Sequence, residues 1–266
     1  MNRDLKLLVL WLRANKISLN TAKTQIVVFK NKRKEIKKNL NFRLSGKKMP
    51  LSSHVTYLGI TLDESLEWNL QLHGLLQKVS RSVGVLAKLR YYLNYKSLLS
   101  VYYALFDSHV NFCIHTMGHV TQAPYEKLEK LQNKALRIMH YKSQRDSAKP
   151  LFINSRILPI RKQLIMKNCL FAFDFFKNNL PKYFNNFLRI TGNNHNHATR
   201  THGKDLQISM TETIRYTLRY GTYNLANLIS KDWNKYHKLI TVDLNSTSKS
   251  TFKKHFNSYI LMKFAE

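Results

Sequence analysis

Between Ser97 and Cys113 the chain sets Leu98, Leu99, Val101, Tyr102, Leu105, Phe106 and Val110 on nearly every side of a helix drawn through them. A helix that is apolar all round must be covered by neighbours, so this stretch is expected to be the central, buried helix of a bundle. Two amphipathic runs flank it. From Leu66 to Leu93 the apolar positions Leu72, Leu75, Leu76, Val79, Val83, Leu86 and Leu93 keep a 3.6-residue rhythm, with Lys78, Arg81, Lys88 and Arg90 mostly off the stripe. A third helix is expected to open with Pro124 at about its first position, with Leu128, Leu131, Ala135 and Ile138 as core. Its acids Glu126 and Glu129 come early and its bases Lys134 and Arg137 late, an order that suits the helix dipole. Three helices joined by short links make a compact bundle.

Charge narrows the choice of partner. The 266 residues carry 44 Lys and Arg against 15 Asp and Glu, a formal charge of +29. An imbalance of that size repels itself unless it meets a polyanion, and nucleic acid is the default one. An anionic membrane surface is the rival, but the bases are spread along the chain rather than gathered on one amphipathic helix. The 14 Tyr and 14 Phe argue against disorder. Leu7 to Leu12 is too short to span a membrane, and no secretory signal is expected, so the chain reads as intracellular, nuclear or cytoplasmic. Cys113 and Cys169 read as reduced core thiols.

Residues 1–65 carry a different pattern. Leu5, Leu8, Trp11 and Leu12 share a helical face, and Asn15-Lys16 is a plausible exit. Thr24 to Phe29 reads as a strand buried on both faces, Phe42 to Leu44 as a short strand, and Val55 to Leu62 as another, where Gly59 suggests close backbone approach or a bulge. The cationic run Lys30 to Lys38 is either a solvated hairpin loop or a phosphate contact. Ser45-Gly46-Lys47 lacks the upstream glycine of a phosphate loop. Asp63-Glu64-Ser65 invites a metal site, but capping of the helix that follows is the better account.

Beyond a polar linker from Ser143 to Pro150, Leu151-Phe152, Ile157 to Ile160 and a helix from Gln163 to Phe176 begin a second helical group, stopped by Leu180-Pro181. His195, His197 and His202 lie in a polar loop, Thr191 to Gly203, with no acid or cysteine near enough to complete a zinc ligand set. The fold expected is α+β, predominantly α, in three parts: 1–65, 66–145 and a mostly helical 146–266.

The string Trp11-Leu12-x-x-Asn15-x-Ile17-Ser18-Leu19-Asn20-x-x-Lys23-Thr24, followed by a basic loop and Tyr57-Leu58-Gly59-Ile60-x-Leu62-Asp63, resembles the palm end of reverse transcriptases from non-LTR (LINE-like, jockey-type) retrotransposons. The likeness continues through Ser108-His109-Val110, Leu131 to Ile138, His197-x-Thr199-Arg200, Tyr220-Gly221, Trp233-Asn234 and Phe252 to Phe256. Met117-Gly118 stands where the family usually has Trp-Gly. The resemblance implies a palm remnant in 1–65, a thumb that grips the primer–template in 66–145, and a C-terminal region of unclear role.

It also implies roles for residues. Lys23 matches the lysine thought to protonate departing pyrophosphate, with an exposed turn residue as the alternative. Tyr57, Leu58 and Gly59 match the turn that positions the primer end, with an ordinary buried strand as the alternative. On the thumb, Lys78, Arg81, Lys88, Arg90, Lys134 and Arg137 are candidates for phosphate contact. Tyr91, Tyr92 and Tyr95 are expected to pack in the bundle, with base stacking as the alternative. The family enzyme uses Mg2+, held by paired aspartates, whereas this chain has no Asp-Asp pair. The reading is thus of a reverse-transcriptase fragment, expected to hold no metal or other cofactor of its own. It would bind RNA, DNA or their hybrid but not polymerise without a fingers–palm portion; its oligomeric state is open. A stand-alone basic nucleic-acid-binding module and a non-functional transposon relic are the alternatives.

Overall fold

The computed structural model describes residues 2–20, 23–30, 40–112, 114–115, 122–186, 188–190, 206–208, 225–237 and 246–265. The basic loop after Lys30, the histidine loop, Cys113, Met117-Gly118 and Tyr220-Gly221 lie outside them. The architecture is α+β and predominantly α, and the chain divides into two compact units, 1–74 and 75–266.

In the first unit, α1 (Asn2–Ala14) ends as its sequence suggests. Lys16 takes a left-handed φ of 54°, and the Ile17 N–H returns to the Leu12 carbonyl at 2.9 Å, closing the last turn. The helix start is tied to the first hairpin, because the Asn2 side chain donates to the Asn41 carbonyl and accepts from the Arg43 N–H.

Two hairpins follow: β1 (Arg43–Leu44) with β2 (Lys47–Lys48), and β3 (His54–Tyr57) with β4 (Ile60–Asp63). Both turn on two residues of positive φ, Ser45-Gly46 at 50° and 81° and Leu58-Gly59 at 48° and 80°. Only the type I′ turn has both central residues there, and its twist matches that of the strands. Gly59 is therefore a turn residue, not the bulge or close approach expected of it.

The strand expected from Thr24 to Phe29 does not form. Ile26 makes a single parallel bridge to Leu51, and Phe29 is exposed. Apolar β-branched residues favour a strand only where a partner supplies a ladder, and one bridge is no ladder. Asp63 also departs from expectation. Its Oδ1 accepts from the Glu67 N–H at 2.8 Å and from the Ser65 hydroxyl, while α2 starts only at Asn69. It holds the turn before the helix rather than the helix end.

Helix α2 (Asn69–Leu89) leads into the second unit, where α3 (Tyr95–Val101), a π-helical segment (Tyr102–Asp107) and α4 (Ser108–Phe112) run on continuously. Here Leu98, Tyr102, Phe106 and Val110 are buried, whereas Tyr103, Leu105 and Phe112 are exposed. The wide turn puts those four core residues four apart on a single face, so the stretch is buried on one side and not all round. Buried Ser82 of α2 satisfies its loosened backbone, donating to the Leu105 carbonyl at 3.0 Å.

The central position belongs instead to α7 (Ile160–Phe176), which packs against α5 (Gln122–Met139), α8 (Leu225–Tyr236) and α9 (Lys249–Ala265). Between α5 and α7, the short α6 (Lys149–Ser155) begins with Pro150 in its first turn and packs on α9. A 3-10 turn (Lys182–Asn186) and a two-stranded ladder of β5 (Leu188–Ile190) and β6 (Leu206–Ile208) complete the described elements. One apolar cluster joins α7, α8 and α9 through Phe173, Trp233, Phe252 and Phe256. Free Cys169 is buried in it, and burial pushes its thiol pKa well up. No helix among the described residues is long and apolar enough to cross a membrane.

Candidate nucleic-acid interface

The helix geometry sorts the basic residues by face. On α2, Lys78, Arg81 and Lys88 follow one another at spacings of three and seven, which places them within an arc of about 80°. All three are exposed, and α2 contains no Asp or Glu to neutralise them. On α5, Lys134 and Arg137 belong to a longer stripe with Lys127 and Lys130, again within about 80°.

Lys127 and Lys130 were not singled out from the sequence, although the three-four-three spacing of 127, 130, 134 and 137 carries them. The acids of α5 leave the stripe bare. Glu129 and Glu126 lie 3.0 and 4.0 Å from Arg161 of α7, so they tie helix to helix. None of Lys127, Lys130 and Lys134 has a carboxylate partner among the described residues.

Arg137 and Arg90 are held in place. The Arg137 Nε donates to the Asp146 carbonyl at 2.7 Å, and the Asp146 carboxylate accepts from the Ser143 N–H, so the polar stretch after α5 is a structured turn. The Arg90 guanidinium lies 5.8 Å from the Tyr91 ring centroid and 5.4 Å from that of Tyr141. Lys88, Arg90 and Arg137 also sit near helix C-termini, where a cation offsets the dipole with no ligand at all. That bland role does not extend to Lys78, Arg81, Lys127 and Lys130, which are further back.

Tyr91 and Tyr92 do not pack in the bundle. They are 80% and 85% exposed. Tyr95 does pack, its ring 4.7 Å from that of His140.

In the first unit, Lys23 is exposed, and its N–H donates to the carbonyl and side chain of Asn20 at 3.2 and 3.1 Å. Its backbone is thus tied to Asn20 while its side chain stays in solvent. Tyr57, Leu58 and Gly59 form the tip of the β3–β4 hairpin, with Tyr57 65% and Leu58 77% exposed, so they are not a buried strand. Lys30 pairs with Glu64 at 3.5 Å. Among the described residues no three His, Cys, Asp or Glu side chains converge to hold a metal ion. The Mg2+ that the resemblance implies therefore finds no three-acid cluster among the described residues.

A partly buried polar seam lies along α7. Asp107 accepts from Asn111 at 2.8 Å, and Asn168 donates to Asp232 at 2.8 Å. Burial raises the pKa of Asp107 and Asp232, against the nearby lysines. Burial also lowers His115, with the Lys167 charge adding to it, and lowers His140, with Lys142 adding.

For the histidines the neutral form is the one the fold favours. Their contribution is present above the ordinary histidine pKa of about 6.5 and is lost as pH falls through the lower folded value. The aspartates act oppositely, contributing below the ordinary carboxylate pKa and losing that contribution as pH rises through the folded one. Between pH 7.5 and pH 5.5, urea unfolding should therefore show a smaller drop in stability for His115→Gln than for wild type, the aspartates acting alike in both. An equal drop in that variant would remove His115 from the account.

Compared with models of known families, with curated proteins and with solved structures, the chain finds no match in any of the three.

Proposed function

We propose that this chain binds RNA, DNA or their hybrid through the basic faces of α2 and α5, in the role that the resemblance assigns to a reverse-transcriptase thumb. The observation that carries this reading is the α5 stripe of Lys127, Lys130, Lys134 and Arg137, whose neighbouring acids are committed to Arg161. Three lysines in one row along a helix face, with no carboxylate partner among the described residues, are a footprint for backbone phosphates. It gives salt-dependent affinity with no choice of sequence.

The test is the triple variant Lys127→Glu, Lys130→Glu, Lys134→Glu, measured by fluorescence anisotropy on an RNA–DNA hybrid. Affinity should fall more than tenfold, and the slope of log affinity against log salt should flatten by roughly three, one for each lost phosphate contact. A control triple, Lys182→Glu, Lys231→Glu, Lys254→Glu, removes the same charge from other exposed sites and should change affinity by less than about threefold. Equal losses in the two triples would reduce the interface to bulk charge. With no Asp-Asp pair in its sequence, the chain should not extend a primer by itself. Mg2+-dependent nucleotide incorporation by the chain alone would contradict that part of the reading.

A further inference from the structure

The turn between α2 and α3 carries Tyr91 and Tyr92 almost fully in solvent, yet its backbone is fixed. The Arg90 N–H donates to the Leu86 carbonyl at 3.0 Å, and the Tyr92 and Leu93 N–H groups both return to the Leu89 carbonyl. Asn94 then caps α3 by accepting from the Ser97 N–H. From below, the Tyr141 hydroxyl at the end of α5 donates to the Leu93 carbonyl at 2.6 Å. The Tyr95 ring leans on His140, whose Nε2 lies 2.7 Å from the Ser155 hydroxyl. The C-terminal ends of α2 and α5 therefore meet at this corner, bringing together the ends of the two basic faces.

Two large rings left in solvent on a hydrogen-bonded backbone turn bury little of their own surface. Beside them lies a guanidinium shared between Tyr91 and Tyr141, with no carboxylate partner among the described residues. Lys88 and Arg137 stand in the last turns of the two helices that meet here. Flat π faces beside fixed cations complement a ligand that is both flat and anionic, and unpaired nucleotides are that ligand. Bases within a duplex are already stacked and present no face to such a platform.

We propose that Tyr91, Tyr92 and Arg90 form a stacking platform for the bases of a single-stranded segment, placed where the phosphate-binding faces of α2 and α5 converge. This rests on the nucleic-acid reading above and adds the kind of strand recognised.

The test uses the full chain with a single-stranded oligonucleotide carrying 2-aminopurine and an RNA–DNA hybrid of equal length. Wild type should quench 2-aminopurine fluorescence. The double variant Tyr91→Ala, Tyr92→Ala should lose that quenching and about tenfold of single-strand affinity while hybrid affinity stays unchanged. Tyr91→Phe, Tyr92→Phe should restore both, since it keeps the rings. Unchanged single-strand binding in the alanine variant, or an equal loss on both ligands, overturns the platform and leaves the phosphate interface standing. Wild type that binds neither oligonucleotide but binds phosphatidylserine vesicles overturns both readings.

Discussion

Trp233→Ala should destabilise the second unit by about 3–5 kcal/mol, the usual cost of truncating a large aromatic in a core. Trp233 is fully buried on α8, its ring centroid 5.1 Å from that of Phe176 on α7 and 6.0 Å from that of Phe252 on α9. It also stacks on His237 at 5.3 Å. The ring thus fills the space where three helices meet, and alanine would leave a cavity that none of the three can close without moving against the others. A domain of this size is stable by only about 5–15 kcal/mol, so the variant should melt at clearly lower urea concentration. The companion Tyr92→Ala, at a ring 85% exposed, should be neutral. A loss below about 1 kcal/mol for Trp233→Ala would mean that α8 does not pack on α7 as described.

Much of the helical framework was legible because its signal is periodic. In α2 the predicted residues Leu72, Leu75, Val79, Val83 and Leu86 are buried, as are Leu128, Ala135 and Ile138 in α5. The apolar run at 97–113 misled because hydrophobicity says how much a segment wants to be covered, not whether enough neighbours exist. Its π-helical turn gathers Leu98, Tyr102, Phe106 and Val110 on one side and leaves Tyr103 and Phe112 in water. The β content misled for the converse reason. Val27 and Val28 look like a strand, but strand formation is decided by partners elsewhere in the chain. Both hairpin turns were readable in principle from Gly46 and Gly59, each second in a two-residue turn.

The candidate interface was half legible. Spacing carries the α5 stripe, whereas the exposure of Tyr91 and Tyr92 depends on how the α2–α3 turn is braced by Tyr141, about fifty positions later in the chain and invisible to any local pattern.

Gln132→Leu should cost about 2–5 kcal/mol, although leucine is apolar and Gln132 is completely buried, because it would orphan groups on two other elements. The Gln132 Oε1 accepts from the Ile160 N–H at 3.1 Å, and its Nε2 donates to the Tyr102 hydroxyl at 3.1 Å and to the Leu158 carbonyl at 3.0 Å. Ile160 opens α7, and Pro159 before it offers no side-chain cap. The first N–H groups of a helix lack intrahelical partners, so a side chain from α5 caps α7. The Leu158 carbonyl keeps a second donor, the Gln163 Nε2 at 2.9 Å, so the orphans are the Ile160 N–H and the Tyr102 hydroxyl. Burial of that hydroxyl already raises its pKa, with the bond to Gln132 opposing the rise. Removing the hydroxyl as well should therefore recover part of the loss. Tyr102→Phe combined with Gln132→Leu is expected to be less destabilised than the sum of the single variants by about 0.5–3 kcal/mol. Strict additivity in urea unfolding would mean that the two side chains do not share a bond, and that α5 and the π-helical segment are joined by apolar packing alone.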